Sequence, residues 1–187
     1  MDINFSVFIA ASLDGYIARH SGKLDWIQKA AIKGDTEDYG YLRFISDVDC
    51  VVMGRNTFEK KAVLSEWPYE GKQVIVLSRV LKEPPNDFIG KISVFNKPIE
   101  LLAVELQHYK YKKVYVDGGL TIQAFLKAGL IDEITITTIP VLIGRGIPLF
   151  GELPEDVGLR LVESRSYPSG FVQSKYRVLR RTKNLNN

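Results

Sequence analysis

The sequence reads as a three-layer α/β/α protein whose central sheet is mixed, mainly parallel, and closed by an antiparallel C-terminal hairpin. Three observations carry this reading. Short continuous apolar runs at residues 50–53, 74–77 and 92–95 lack the alternation of a half-wet strand, as strands buried on both faces do. Stretches with helical spacing separate them, the pattern of parallel strands joined by crossover helices. Late in the chain the period changes to two, with Val172, Ser174, Tyr176 and Val178 alternating with Gln173, Lys175 and Arg177. The length of 187 residues suits one domain, 1–187.

The elements follow in order. Residues 3–12 are rich in β-branched and aromatic side chains and open the fold as a strand. Residues 36–47 set Tyr39, Leu42 and Ile45 three apart, one face of a helix, with Asp35 or Thr36 to cap it. The strand at 50–53 ends at Gly54, and a helix starts from Asn56 or Thr57. Strands follow at 74–77 and 92–95. Pro98 opens a helix that gathers Ile99, Leu102 and Leu106 on one side. After a strand at 114–116, Gly118-Gly119 leads into a helix with Ile122, Phe125 and Leu126 together, stopped by Gly129. Residues 131–141 form another strand. A run at 159–167 faces the period-two strand across Pro168-Ser169-Gly170.

Composition narrows the function. Hydrophobic residues make up 45% and charged residues 25%, an ordinary soluble balance. A net charge of +3 is too slight for nucleic acid, and Arg177, Arg180, Arg181 and Lys183 read as a frayed basic tail. The lone Cys50 excludes an internal disulfide framework and a cysteine-rich zinc site; its apolar surroundings make it a buried thiol. His20 and His108 have no metal-ligand spacing, so no metal is expected. Asp14 interrupts the apolar opening, and the uncharged residues 134–144 are too short to span a bilayer. A cytoplasmic protein without membrane contact is expected.

Three strand ends carry chemistry. In Val51-Val52-Met53-Gly54-Arg55-Asn56-Thr57 a strand ends at a glycine and a helix begins, offering free N–H groups beside an arginine to a phosphate. In Val114-Tyr115-Val116-Asp117-Gly118-Gly119 the glycines let a pyrophosphate approach the backbone. Val76-Leu77-Ser78-Arg79 adds a hydroxyl and a second cation. Ligands of open α/β sheets gather at the carboxyl ends of strands. Three such junctions favour a dinucleotide, and Arg55, Ser78 and Arg79 suit a 2′-phosphate, so NADPH fits better than NADH. Each glycine alone reads first as a simple turn, and Arg79 is readable as one side of a surface ion pair.

These segments occur in order with Phe8-Ile9-Ala10-Ala11-Ser12-Leu13-Asp14-Gly15-Tyr16-Ile17-Ala18, Leu24-Asp25-Trp26, Leu130-Ile131-Asp132-Glu133 and Pro140-Val141-Leu142-Ile143-Gly144-Arg145-Gly146-Ile147-Pro148-Leu149-Phe150. Together they resemble the dihydrofolate reductase superfamily, in particular its bacterial branch related to the reductase domain of riboflavin biosynthesis. The resemblance implies an NADPH-dependent oxidoreductase that passes a hydride to a C=N or ribosylamine Schiff-base carbon of a small pteridine or pyrimidine, as 5-amino-6-(5-phosphoribosylamino)uracil reductase or dihydrofolate reductase does. It assigns Ala11 and Ile17 to the nicotinamide pocket. Gly54, Arg55, Thr57, Leu77, Ser78 and Arg79 go to the phosphates, and Gly118, Gly119, Leu120 and Thr121 to the second glycine turn over the cofactor. It makes residues 14–26 a mobile active-site loop, brings Thr137 near a substrate-contacting threonine, and puts Asp38 where folate reductases hold a carboxylate. Without a His-x-Glu and Pro-Cys-x-x-Cys pattern, deaminase activity is excluded.

The acid is the open point. A half-buried Asp38 in an apolar cleft has a raised pKa and can relay a proton; the alternative is an acidic residue favoured in the first turn of a helix. Asp14 is a further candidate, or a turn residue. Asp25 and Trp26 border the substrate mouth, or Asp25 caps a helix. A non-catalytic NADP-binding module is the rival to an enzyme. The closing hairpin leaves an edge or face that needs cover, so a homodimer is expected, unless Lys175 and Arg177 protect the edge.

Overall fold

The computed structural model describes residues 3–33 and 36–179. The expected cap at Asp35 and the basic residues Arg180, Arg181 and Lys183 lie outside them. An eight-stranded sheet in the order β5-β4-β3-β6-β1-β7-β10-β9 forms the middle layer. Its strands are β1 (Asn4–Ser12), β3 (Cys50–Gly54), β4 (Gln73–Leu77), β5 (Ile92–Phe95), β6 (Lys113–Asp117), β7 (Glu133–Ile139), β9 (Leu159–Ser166) and β10 (Val172–Val178). Every ladder from β5 to β7 is parallel; β10 runs antiparallel to both β7 and β9. The mainly parallel sheet and its closing hairpin are therefore as the apolar runs predict.

Alternation along each strand sorts the core into two layers. Phe5, Val7, Val52, Val114 and Val116 point to one face, where α4 (Ile99–His108) and α5 (Gly119–Lys127) cover them with Leu102, Leu106, Ile122 and Phe125. Val51, Met53, Val74, Val76 and Tyr115 point to the other, under Phe58 of α3 (Arg55–Ala62) and Tyr41, Phe44 and Ile45 of α2 (Tyr41–Ser46). Cys50 is fully buried between strands, and burial pushes its thiol up to about 12, so it is inert. A third cluster joins Trp26 of α1 (Asp25–Ala30) to Ile139, Tyr167 and Phe171 near the hairpin turn.

Two expectations need correction. The helix expected over 36–47 is only α2, because Tyr39 and Gly40 hold φ of 54° and 79°, outside helical geometry. Its inward face is Tyr41, Phe44 and Ile45, while Leu42 is exposed. The hairpin also lacks the single wet face expected: β9 is exposed throughout, and Val172 shares that exposure with Leu159 and Leu161. Lys175 and Arg177 do not guard the edge; they sit on the inner strand β10 and pair with Glu133 at 2.9 and 3.7 Å.

Adjacent leucines on α4 test this layering. Leu102 is 1% exposed and Leu101 is 51% exposed. Leu102→Ala is expected to lower unfolding free energy by about 2–5 kcal/mol. Leu101→Ala is expected to change it by no more than about 0.5 kcal/mol. Chemical denaturation of both variants checks the assignment.

Candidate functional site

β1 and β6 share only three residue pairs, from Asn4 with Lys113 to Ser6 with Tyr115. Beyond that point β1 follows β7 as far as Ser12, and β6 follows β3 as far as Asp117. The two strands therefore part, and a cleft opens at the carboxyl edge of the sheet. Tyr115 reaches across it and donates to the Phe8 carbonyl at 3.1 Å. A cavity of about 1220 Å³ fills the cleft and continues past the ends of β3, β4 and β5. That exceeds the room a single drug-sized ligand needs.

The strand–helix junctions line this cavity and interlock. Gly118, at φ +94°, leads into α5; a Cβ there would collide with Thr57 Oγ1 of α3. A Cβ on Gly54 would stand 3.1 Å from Thr121 Oγ1 of α5. Each helix thus packs a threonine onto the glycine that starts the other. Neither helix has a side-chain cap, which leaves their first-turn N–H groups for an anion. This donor set fits the phosphates of a dinucleotide. Ser78 Oγ accepts from the N–H groups of Val80 and Leu81 at 3.1 and 2.8 Å, shaping the turn after β4. Arg55 pairs with Glu59 at 2.9 Å. The Arg79 side chain makes no ion pair among the described residues, and Lys97 joins it on the lining. Every residue expected to touch cofactor lines the cavity except Ala11, which is buried in the main core.

The floor of the cleft holds a group the sequence reading did not assign. Asp117 is buried; its Oδ2 accepts from the Tyr69 hydroxyl at 2.7 Å and lies 3.4 Å from Lys61 Nζ. The Lys61 ammonium also stands 5.2 Å from the Tyr69 ring centre. Burial, reinforced by the Asp117 charge, holds the Tyr69 and Tyr115 hydroxyls far above their ordinary value and pushes Tyr41 up to about 12. All three stay neutral at physiological pH. The same cavity also has apolar lining, including Phe8, Ala10, Leu24, Ile27 and Leu64. The Asp117-Gly118-Gly119 run marked one member of this group, but nothing local linked it to Lys61 or Tyr69.

The expected catalytic and substrate residues fall elsewhere. Asp38 is exposed and off the cavity lining; its oxygens accept from the N–H groups of Leu42 and Gly40 at 2.7 and 3.0 Å. Those bonds lower its pKa, the reverse of the raised value a proton relay needs. Asp25 is held by Arg19 at 2.7 Å and Lys29 at 3.1 Å, and Trp26 is buried in the third cluster instead of bordering a mouth. Thr137 is buried on β7 and accepts from Gln173 Nε2 at 2.9 Å.

Asp14 instead clasps two loops. It accepts from the Ser12 hydroxyl and from the N–H groups of Ile143 and Gly144, at 3.3 and 2.7 Å for the last two. Next to it β2 (Tyr16–Ala18) pairs antiparallel with β8 (Ile147–Pro148), and Gly146 lies so close to the Ala18 carbonyl that no Cβ fits. The loop expected to be mobile is thus fastened to residues 141–149 where it passes Gly119.

The family model described as RibD C-terminal domain matches residues 5–173. The uncharacterized protein YwjB of Bacillus subtilis (strain 168) is 34% identical over 163 residues, 86% of this chain and 90% of the relative. YyaP of the same organism is 28% identical, covering 90% and 91%. A crystal structure from Shewanella sp. PV-4, provisionally named for riboflavin biosynthesis, superposes with a TM-score of 0.88 at 39% identity, covering 95% of this chain and 100% of that one. The Thermotoga maritima diaminohydroxyphosphoribosylaminopyrimidine deaminase/5-amino-6-(5-phosphoribosylamino)uracil reductase shares the fold, with a TM-score of 0.72 at 14% identity over 95% of this chain and 57% of its own.

Two outcomes are expected from this geometry. Gly118→Ala combines a disallowed φ with a collision at Thr57, and is expected to cost about 1–3 kcal/mol and to weaken anion binding at both helix starts. Gly40→Ala, with open space around it, is expected to cost less; thermal melts compare them. The Ser12 hydroxyl first, then the two N–H groups, depress the Asp14 pKa below 3.8, so the clasp is intact above that value and is lost as pH falls through the depressed one. The Gly144 amide resonance is expected to titrate below pH 3.8, and to lose that response in Asp14→Asn.

Proposed function

Because the chain belongs to the RibD C-terminal domain family and shares the fold of a 5-amino-6-(5-phosphoribosylamino)uracil reductase, we propose that it is an NADPH-dependent reductase of a small pyrimidine or pteridine. The observation that carries the reading is the convergence of three strand ends, at Gly54, Ser78 and Gly118, on one cavity with Arg55 and Arg79. The free N–H groups of α3 and α5 hold the pyrophosphate, and Arg79, with Ser78 and Arg55, holds the 2′-phosphate. Arg79 leads because Arg55 is already engaged by Glu59. Ile17, packed against Gly119, forms the wall beside the nicotinamide. When bound, the reduced nicotinamide supplies a hydride to the carbon of a C=N bond.

The protein's own contribution is alignment and exclusion of water. Phe8, Ala10, Leu24 and Ile27 form apolar walls that stack a planar ring, and the parted backbone of β1 and β6 offers hydrogen bonds to its edge. Asp38 takes no part, being outside the cleft. Two chains pair through the face of β9 and β10, where Leu159, Leu161 and Val172 are exposed. Light scattering of the protein and of Leu161→Glu tests this: a dimer that turns monomeric is expected.

Titration with NADPH and NADH tests the cofactor. Arg79→Ala is expected to weaken NADPH by about tenfold or more, as loss of a charged hydrogen bond does, and NADH by much less. Equal losses overturn the assignment of Arg79. NADPH binding without oxidation by any pyrimidine or pterin identifies a non-catalytic module instead.

A further inference from the structure

A second concavity of about 400 Å³ lies at the edge of the sheet opposite the cleft. It gathers Asn4 where β1 starts, Asp132 and Glu133 where β7 starts, and Arg160 and Arg177 of the hairpin. We propose that it is a ligand site separate from the cleft, and that it takes a small phosphate monoester between the guanidinium groups of Arg160 and Arg177. Arg177 on β10 stands directly opposite Arg160 on β9 and directly opposite Glu133 on β7. Residues paired in this way project from one face of the sheet, with Cβ atoms about 5 Å apart. Two like charges so placed repel, and an oxyanion between them turns that repulsion into two attractions.

The carboxylates of the concavity are engaged below its rim. Glu133 holds Lys175 at 2.9 Å and Arg177 only at 3.7 Å, and its side chain is 19% exposed where that of Arg177 is 56% exposed. Asp132 Oδ2 accepts from the Phe5 N–H at 2.9 Å. Arg160 makes no ion pair among the described residues, so an anion arriving from solvent meets guanidinium groups first. Each guanidinium fork matches two oxygens; a phosphate has enough for two forks, whereas a single carboxylate serves one. The volume lies in the range of small-molecule pockets and exceeds a bare phosphate ion, which is why an ester fits. The frame is fixed by backbone bonds: Asp132 N–H to the Phe5 carbonyl, and Val178 N–H to the Asp132 carbonyl, both at 2.8 Å. Leu159 and Leu161 alternate with Arg160 and project from the other face, so pairing of chains through them leaves the concavity open.

The site stands apart from the reductase reading, and the test keeps the two apart. Glycerol 3-phosphate, inorganic phosphate and acetate are titrated at constant ionic strength while arginine Nε–H and backbone amide resonances are followed by NMR. Glycerol 3-phosphate is expected to shift the Arg160 and Arg177 side-chain resonances saturably, about tenfold or more tightly than acetate and at least as tightly as inorganic phosphate. Arg160→Gln is expected to weaken that binding about tenfold, as loss of a charged hydrogen bond does. Arg160→Lys is expected to recover only part of it, since an ammonium lacks the fork. Arg160 is exposed on an edge strand, and thermal melts confirm that both variants are folded. Shifts confined to the amides of Gly54, Gly118 and Gly119, equal affinity for acetate, or unaltered affinity in Arg160→Gln each overturns the proposal. NADPH affinity is expected to stay within about twofold in Arg160→Gln, so failure of NADPH to bind the wild type bears on the reductase reading alone.

Discussion

Three residue pairs hold β1 to β6, and then each strand follows a different neighbour. A continuous parallel sheet would have closed that edge with backbone hydrogen bonds and left no room for a ligand. An aromatic group fills the space beneath the parting strands: Phe8 stacks on Phe44 at 4.8 Å, and Phe44 meets Tyr115 edge-on at 5.1 Å. These rings occupy one face of the sheet where the strands diverge, so the gap is supported from below and open above. The cavity, the bond from the Tyr115 hydroxyl to the Phe8 carbonyl and the access to Asp117 all follow from it.

Around that gap the structure balances charge by position. Backbone N–H groups at two helix starts and the arginines after β3 and β4 make one end attractive to phosphates. Asp117 sits deeper, where an isolated carboxylate is costly, and the neutral Tyr69 hydroxyl offsets much of that cost. A neutral donor does this without cancelling the carboxylate's charge, and that charge keeps Lys61 turned inward.

The parts legible in the sequence were local. A strand, a glycine and a helix start lie within a few residues, so the junctions at Gly54, Ser78 and Gly118 could be read from order alone, as could α4, α5 and the hairpin. The parts that were not legible depend on distant partners. Tyr69 and Asp117 are 48 positions apart, and Gln173 reaches Thr137 across 36. The apolar spacing of Tyr39, Leu42 and Ile45 looked helical, yet two positive φ angles broke it before α2 began. Asp38 failed as an acid for a related reason: once Gly40 turns the chain, its carboxylate is the nearest acceptor for the N–H groups left at that turn. Lys61 gave no signal, because α3 carries two adjacent lysines and only the packed structure distinguishes the inward one.

The clasp at Asp14 has a bearing on how the molecule is made. Its backbone partners, Ile143 and Gly144, lie 129 and 130 residues further on, and among the described residues β1 itself pairs with β6 and β7. On a ribosome the first strand therefore waits on the order of ten seconds for neighbours, while β3, β4 and β5 can already assemble with α3, which lies between the first two. Until then Val7, Phe8 and Ile9 lack their β7 partners, Ile134, Thr135 and Ile136, each 127 residues further on. The binding cleft is a late product of folding, and its integrity reports that the whole sheet has closed.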